Sequence, residues 1–141
     1  MGNKRIYIAG PLFSQAELEF NDKLNNLLIK SGFSTFLPQK DGYELSDLVK
    51  DSNPHDASTL IFNFDLEELK KSDILVFIMD GRVPDEGACV EVGIAYALGI
   101  ECYGLKTDTR SFIHSQDNPM IIGSLKGRVA HSFEELLSLI N

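Results

Sequence analysis

Nothing in the 141-residue chain approaches the ~20 consecutive apolar residues that a bilayer-spanning helix needs, so a membrane protein of that kind is excluded. The opening Met1-Gly2-Asn3-Lys4-Arg5 leads into only a short apolar stretch, Ile6 to Ala9. No longer hydrophobic region or small-residue cleavage site follows it, so a secretory signal is not visible and a cytoplasmic location is the default expectation. Positive charge is scarce as well. Thirteen Lys and Arg stand against 21 acids, for a formal net charge of -8, and no local basic patch offsets it. A phosphate backbone would be repelled, which argues against a nucleic acid polymer as partner. There are two cysteines, Cys89 and Cys102, framed by apolar neighbours, which suits reduced core thiols better than a disulfide framework. His55, His114 and His131 lack the short spacing that lets two ligands share a helix face, so no zinc site is expected. The chain also lacks a Gly-x-Gly-x-x-Gly fingerprint, a Gly-x4-Gly-Lys-Ser/Thr loop and a Gly-x-Ser-x-Gly elbow. Dinucleotide binding, triphosphate binding and serine hydrolysis by those devices lose their support.

What is present is a soluble composition, 43% apolar and 24% charged, at a length that fits one domain. Lys4 to Ala9 reads as a strand cut off by Gly10-Pro11. Ser14-Gln15-Ala16-Glu17 then has capping-box spacing and opens an amphipathic helix ending near Gly32. Phe33 to Leu37 is a second strand. Residues 39–55 carry turn signals around one short helix and read as a long functional loop, and a second helix covers about 56–71. Ile74 to Met79 is a continuous apolar run of strand length, as in a parallel strand covered on both faces. Gly87 to Leu98 reads as a small-residue helix packed closely on the sheet, ending at Gly99. Cys102 to Leu105 returns as a strand, Arg128-Val129-Ala130 is a last short one, and Ser132-Phe133-Glu134-Glu135 is a second capping box. Strands alternating with helices predict an α/β sandwich with a parallel sheet, and such sheets bind ligands at the carboxyl ends of their strands.

The acidity is uneven. Between Ile61 and Gly93 eight acids face Lys70, Lys71 and Arg82, a local net of -5. The loop from Asp80 to Gly87 delivers carboxylates into a helix start, where unpaired N–H groups and the positive dipole end favour them. Asp85 has a second reading as a helix cap alone. Glu91 lies about two turns into a helix otherwise made of Ala, Cys, Val, Gly and Ile, where a buried charge is costly. Its alternative is a solvent-facing surface position. Tyr7, in the middle of a central strand, needs a hydrogen-bond partner if buried, either a backbone carbonyl or Glu91. Carboxylate chemistry is the leading option, since carboxylates serve as nucleophiles and acids at glycosidic carbon.

Ile6-Tyr7-Ile8-Ala9-Gly10-Pro11-Leu12-Phe13, Asn63-Phe64-Asp65-Leu66, Asp73-Ile74, Pro84-Asp85-Glu86-Gly87-Ala88-Cys89-Val90-Glu91-Val92-Gly93 and Asn118-Pro119-Met120, in that order, resemble the nucleoside 2-deoxyribosyltransferases. The resemblance runs over most of the chain. It implies one domain, residues 1–141, with a flavodoxin-like (Rossmann-like) three-layer sandwich around a parallel sheet of about five strands. It implies a glycosyltransferase, a pentosyltransferase of nucleotide salvage, that moves 2-deoxyribose between purine and pyrimidine bases through a covalent ester on Glu91. Tyr7 would orient Glu91, and Asp65 would exchange a proton with the base. Asp85 would bind sugar hydroxyls, Gly10 and Phe13 would line the base slot, and Gln39 is a weaker candidate for reading a base edge. Asn118 and Met120 match residues supplied by a neighbouring subunit, so a homo-oligomer (dimer, tetramer or hexamer) is implied. The ligands would be deoxynucleosides and free nucleobases, with no metal or organic cofactor.

Two departures stand out. The chain is short for the family, and Leu139-Ile140-Asn141 lacks the aromatic carboxyl-terminal residue that some members send into a partner's site. The alternative activity is an N-glycosidase hydrolysing deoxynucleosides or deoxynucleoside 5′-monophosphates, against which Asp85 would oppose a phosphate. A non-catalytic nucleoside-binding module is a third class, and it leaves Glu91 unexplained. On this reading Asp65, Asp85 and Glu91 form the pocket, while Glu67, Glu68 and Asp80 face water.

Overall fold

The computed structural model describes residues 3–51 and 53–141, the side chains of Leu45 and Asp51 excepted. Met1 and Gly2 of the amino-terminal lead-in, and Ser52 of the 39–55 segment, lie outside it. Strands β1 (Arg5–Ala9), β2 (Ser34–Phe36), β3 (Ile74–Ile78), β4 (Glu101–Leu105) and β5 (Val129–Ala130) form one sheet in the order β2-β1-β3-β4-β5. Every neighbouring pair is parallel. The helices are α1 (Gln15–Lys30), α2 (Pro38–Asp41), α3 (Leu45–Asp51), α4 (Pro54–Lys70), α5 (Glu86–Ala97), α6 (Pro119–Ser124) and α7 (Phe133–Ile140).

Successive side chains of a strand point to opposite faces, and β1 shows what that does here. Ile6 and Ile8 join the core under α1 and α7, with Leu24, Leu28, Leu136 and Ile140. Tyr7 and Ala9 join the core on the other face, with Leu69 of α4, Ala88, Val92 and Ala95 of α5, and Ile121 of α6. The three-layer sandwich with five parallel strands follows, and Tyr7 is committed to the α4–α5 layer by register alone. All five residues of β3 are buried, as its unbroken apolar run requires.

Helix starts match local chemistry. Ser14 accepts from Glu17 N at 3.2 Å while Glu17 Oε2 accepts from Ser14 N at 2.8 Å, so the expected capping box closes. At α7 the expected box is only half formed. Ser132 Oγ accepts from Glu135 N at 3.1 Å, but Glu135 Oε2 takes the N–H of His131 at 2.7 Å instead of that of Ser132. The 39–55 segment is more ordered than a loop: Pro38, its φ pre-set, starts α2, and α3 follows. Helix α4 begins at Pro54, earlier than expected, because Asn53 Oδ1 caps it from Asp56 N at 3.0 Å. Helix α6 was not expected, its six residues being too few to show a period. Its signal is Asn118-Pro119, a cap followed by proline at the first position. Cys102 is buried as expected, whereas Cys89 is only half-buried; both are free.

Two features shape the carboxyl edge of the sheet. Asp80, expected to face water, instead spans two connections: its Oδ1 accepts from Thr107 N at 2.7 Å and Asp108 N at 2.9 Å. Beyond it, Ile113 pairs with Gln116 across a tight turn whose central residues, His114 (φ 46) and Ser115 (φ 62), are both left-handed, a backbone region that non-glycine residues enter rarely. No helix among the described residues is long and apolar enough to cross a membrane.

Candidate active site

Helix α5 turns Ala88, Val92 and Ala95 inward, small side chains that let it lie close against β1, β3 and β4. That closeness removes Glu91 from water on one side. Its Oε2 is buried and completes no hydrogen bond among the described residues, and neither does the hydroxyl of Tyr7, which is fully buried in β1. The two groups face each other in a contact short of a well-formed bond, but close enough to act on each other's protons. Burial first, then the charge of Asp65, push the Glu91 pKa up to about 8, and only the Tyr7 hydroxyl pulls it back. Burial and the Glu91 charge hold the Tyr7 proton well above the ordinary phenol range.

Asp65 sits on α4 facing α5. It is half-buried, and burial followed by the charge of Glu68 raises its pKa to about 6. A surface aspartate would show no such shift. Asp85 realises its cap reading: its Oδ2 accepts from Ala88 N at 2.9 Å at the head of α5. Its charge also acts on Glu91, so the cap and the site are adjacent.

A cleft of about 360 Å³ is lined by Ile61, Phe62, Asp65, Val90, Glu91 and Ile94. A larger one, about 1080 Å³, is lined by Leu12, Phe13, Gln39, Tyr43, Ile61 and Asp65 among others. Asp65 and Ile61 belong to both, so a ligand bridging the two clefts would pass Asp65. Phe13 is 78% exposed there. Gly10 is fixed by packing: a Cβ would stand 2.8 Å from Ile78 Cβ. The amide of Gln39 is already engaged, donating to Leu18 O at 3.0 Å and accepting from Asn21 Nδ2 at 2.8 Å. Asn118 caps α6 through Met120 N at 2.9 Å and lines a separate pocket, and Met120 is 79% exposed. Neither lines the two clefts of its own chain.

The structure thus brings together Tyr7, Asp65, Glu91 and Asp85, with Phe13 and Gln39 on the adjoining cleft. Two residues escaped the sequence reading. Tyr43 lines the larger cleft and meets Phe64 edge-on at 4.8 Å between centroids; its only signal was an aromatic beside the Asp41-Gly42 turn. Glu68 does not face water. It is 9% exposed, paired with Arg5 of β1 and, at 2.6 Å, with Lys71. Its spacing of three from Asp65, on the side of α4 facing the sheet, was the available clue.

A model of the family described as nucleoside 2-deoxyribosyltransferase matches residues 6–140. The chain belongs to this family. An uncharacterized protein of Ureaplasma parvum serovar 3 is 31% identical over 140 residues, spanning 89% of this chain and 82% of that one. Among solved structures, a conserved protein from Enterococcus faecalis V583 is 32% identical with a TM-score of 0.78, over 99% of this chain and 98% of its own. A 2-deoxyribosyltransferase from Bacillus psychrosaccharolyticus is 25% identical with a TM-score of 0.76, over 96% and 95%. For a 2-deoxyribosyltransferase family member, these likenesses point to nucleosides and nucleobases as ligands. They support deoxyribosyltransferase-like chemistry.

Proposed function

We propose that this chain transfers 2-deoxyribose between the bases of deoxynucleosides by double displacement, with Glu91 as nucleophile. The observation that carries the reading is the buried, unpartnered Glu91 carboxyl between Tyr7 and Asp65, in a chain matched by the family model from end to end of its fold.

In the first displacement a Glu91 carboxylate oxygen bonds to the sugar C1′ as the C1′–N bond breaks. The bonding pair leaves with the base, and a ring nitrogen of that base takes the proton carried by Asp65. In the second, an incoming base gives its N–H proton to Asp65 and bonds to C1′ as the ester C–O bond breaks, returning Glu91 to carboxylate. Atoms and charge balance over the cycle. Tyr7 holds the attacking carboxylate in line. Asp85, one oxygen committed to the cap, has its other for sugar hydroxyls. Phe13 provides a stacking wall at the mouth, and Gly10 lets the turn into it lie against Ile78. Gln39 would have to exchange its contacts with α1 for a base edge.

Asn118 and Met120 act, in this reading, on the site of a neighbouring copy. That neither lines the two clefts of its own chain supports it, as does the exposed apolar face of α4 and α5 carrying Phe62 (52% exposed) and Val90 (56%). The substrates are uncharged nucleosides, which an acidic pocket tolerates, and the reaction draws on side chains alone.

Incubation with thymidine and adenine should yield deoxyadenosine and thymine, and Glu91→Ala should reduce exchange at least about a thousandfold. Full exchange in that variant would remove the mechanism. Free deoxyribose forming at the same rate with and without acceptor base would turn the assignment to hydrolysis.

A further inference from the structure

The proposed first step needs Glu91 ionised and Asp65 protonated. Their positions set the opposite preference. Glu91 lies deeper, so in the empty site burial favours a proton on Glu91 over one on Asp65. Something must favour its transfer to Asp65. Tyr7 works from one side, because its hydroxyl stabilises the Glu91 carboxylate.

The other side is Glu68. It lies one turn beyond Asp65 on α4, only 9% exposed, with Arg5 of β1 and Lys71, the C-cap of α4, paired to its two carboxylate oxygens. The Ser72 hydroxyl donates to the Glu68 carbonyl at 2.9 Å, tying the end of the helix in place. The arrangement is built inward from the sheet. The Arg5 guanidinium lies 6.0 Å over Phe36, and Phe36 stacks on Tyr7 at 5.1 Å, so the strand residue that anchors Glu68 also packs, through one ring, on the site tyrosine. Arg5 and Lys71 fix the Glu68 carboxylate in place one turn from Asp65, and its charge pushes the Asp65 pKa up.

We propose that Glu68 is a positioning residue: its carboxylate, fixed one turn from Asp65, favours passage of the shared proton from Glu91 to Asp65 once substrate is bound, leaving Glu91 free to attack the sugar. This rests on the transferase reading for its purpose, though not for its test. The other charged or titratable groups around Asp65 are Glu91 from α5, Tyr7 from β1, and Asp22 and Glu44, which line the larger cleft. Asp85 acts on Glu91 from the head of α5. Of these acids, Glu68 combines a side chain anchored by two ion pairs with a place outside both clefts, where no substrate displaces it.

The test titrates the Asp65 carboxyl by carbon NMR in the full chain without substrate, alongside the pH profile of exchange. Glu68→Gln should lower the Asp65 midpoint by roughly half a pH unit or more. It should reduce kcat at pH 7 about three- to tenfold, with KM little changed. Glu68→Asp keeps the charge and should recover most of the midpoint. Glu67→Gln removes the same charge from the exposed side of α4 and should leave it in place. An Asp65 midpoint unmoved by Glu68→Gln, or moved equally by Glu67→Gln, would overturn the inference. If Glu68→Gln fails to fold, the comparison is made in an Arg5→Gln background, which leaves no guanidinium unpaired: an Asp65 midpoint lower in Arg5→Gln/Glu68→Gln than in Arg5→Gln supports the inference, and equal midpoints overturn it. Midpoints that behave as stated in a protein that exchanges no bases would leave the inference standing and sink the transferase reading instead.

Discussion

Glu91 is a residue whose chemistry works against the fold that holds it. Its pKa rises from 4.5 in an ordinary carboxyl to about 8 in place, so between those values the folded chain keeps a proton that the unfolded chain has lost. Stability fully present below about pH 4.5 therefore declines as pH rises and is lost through about pH 8. Glu91→Gln removes the titration. Its melting temperature should fall less than that of wild type between pH 5 and 8.5, with a gain at pH 8.5 worth roughly 1–3 kcal/mol. Thermal melts of both proteins across that range check it, and parallel curves would show Glu91 to be solvated. Tyr7→Phe, by the same logic, should fold at neutral pH and lose its effect on Glu91. Exchange should drop about ten- to a hundredfold, and the acidic limb of the rate profile should move toward higher pH because the carboxylate loses its donor.

At the scale of elements, Asp85 caps α5 and, on the proposed mechanism, also binds the sugar, and substitution can part the two. Asparagine caps a helix about as well as aspartate, whereas alanine forfeits about 1 kcal/mol. Asp85→Asn should keep the melting temperature within a degree or two yet raise KM for the deoxynucleoside about tenfold. Asp85→Ala should do both kinds of damage. Steady-state kinetics with thermal melts separates them, and an unchanged KM in Asp85→Asn would reduce the residue to a cap. The elements also show how far sequence carries. The β1 alternation, the β3 run and the Ser14 capping box are local patterns with one physical solution each, and the sheet followed from them. Tyr7 and Glu91 could be singled out as misfits in apolar elements. Glu68 offered only its spacing from Asp65, because its burial is made by Arg5, 63 residues away in the chain, and by the sheet that carries it. Helices α2, α3 and α6 are too short for periodicity and announce themselves only through caps and prolines. Whether Gln39 reads a base or ties α2 to α1 turned on side chains of α1 that no local pattern connects to it.

The whole molecule raises the question of how many chains make a site. If Asn118 and Met120 serve a neighbour, two inactive variants should repair each other. Glu91→Ala keeps a sound Asn118, and Asn118→Ala keeps a sound Glu91. In a mixed dimer one of the two sites is then complete. After subunit exchange in an equal mixture, exchange activity should rise to about a quarter of wild type, the share expected when half of the dimers are mixed and each has one working site. Mixing assays checked by sedimentation would show this. No recovery despite mixed oligomers would return Asn118 to its role as the α6 cap.

The left-handed turn at His114 and Ser115 carries one more consequence. It stands on an exposed hairpin between β4 and α6, the kind of place where a chain can be interrupted without opening a core. A break there divides the residues of the proposed site into two groups. Tyr7, Asp65, Asp85 and Glu91 would travel with one fragment, and Asn118 and Met120 with the other, together with β5 and α7. The two pieces would be a split reporter whose signal requires reassembly, because the smaller carries no nucleophile and the larger lacks a sheet edge.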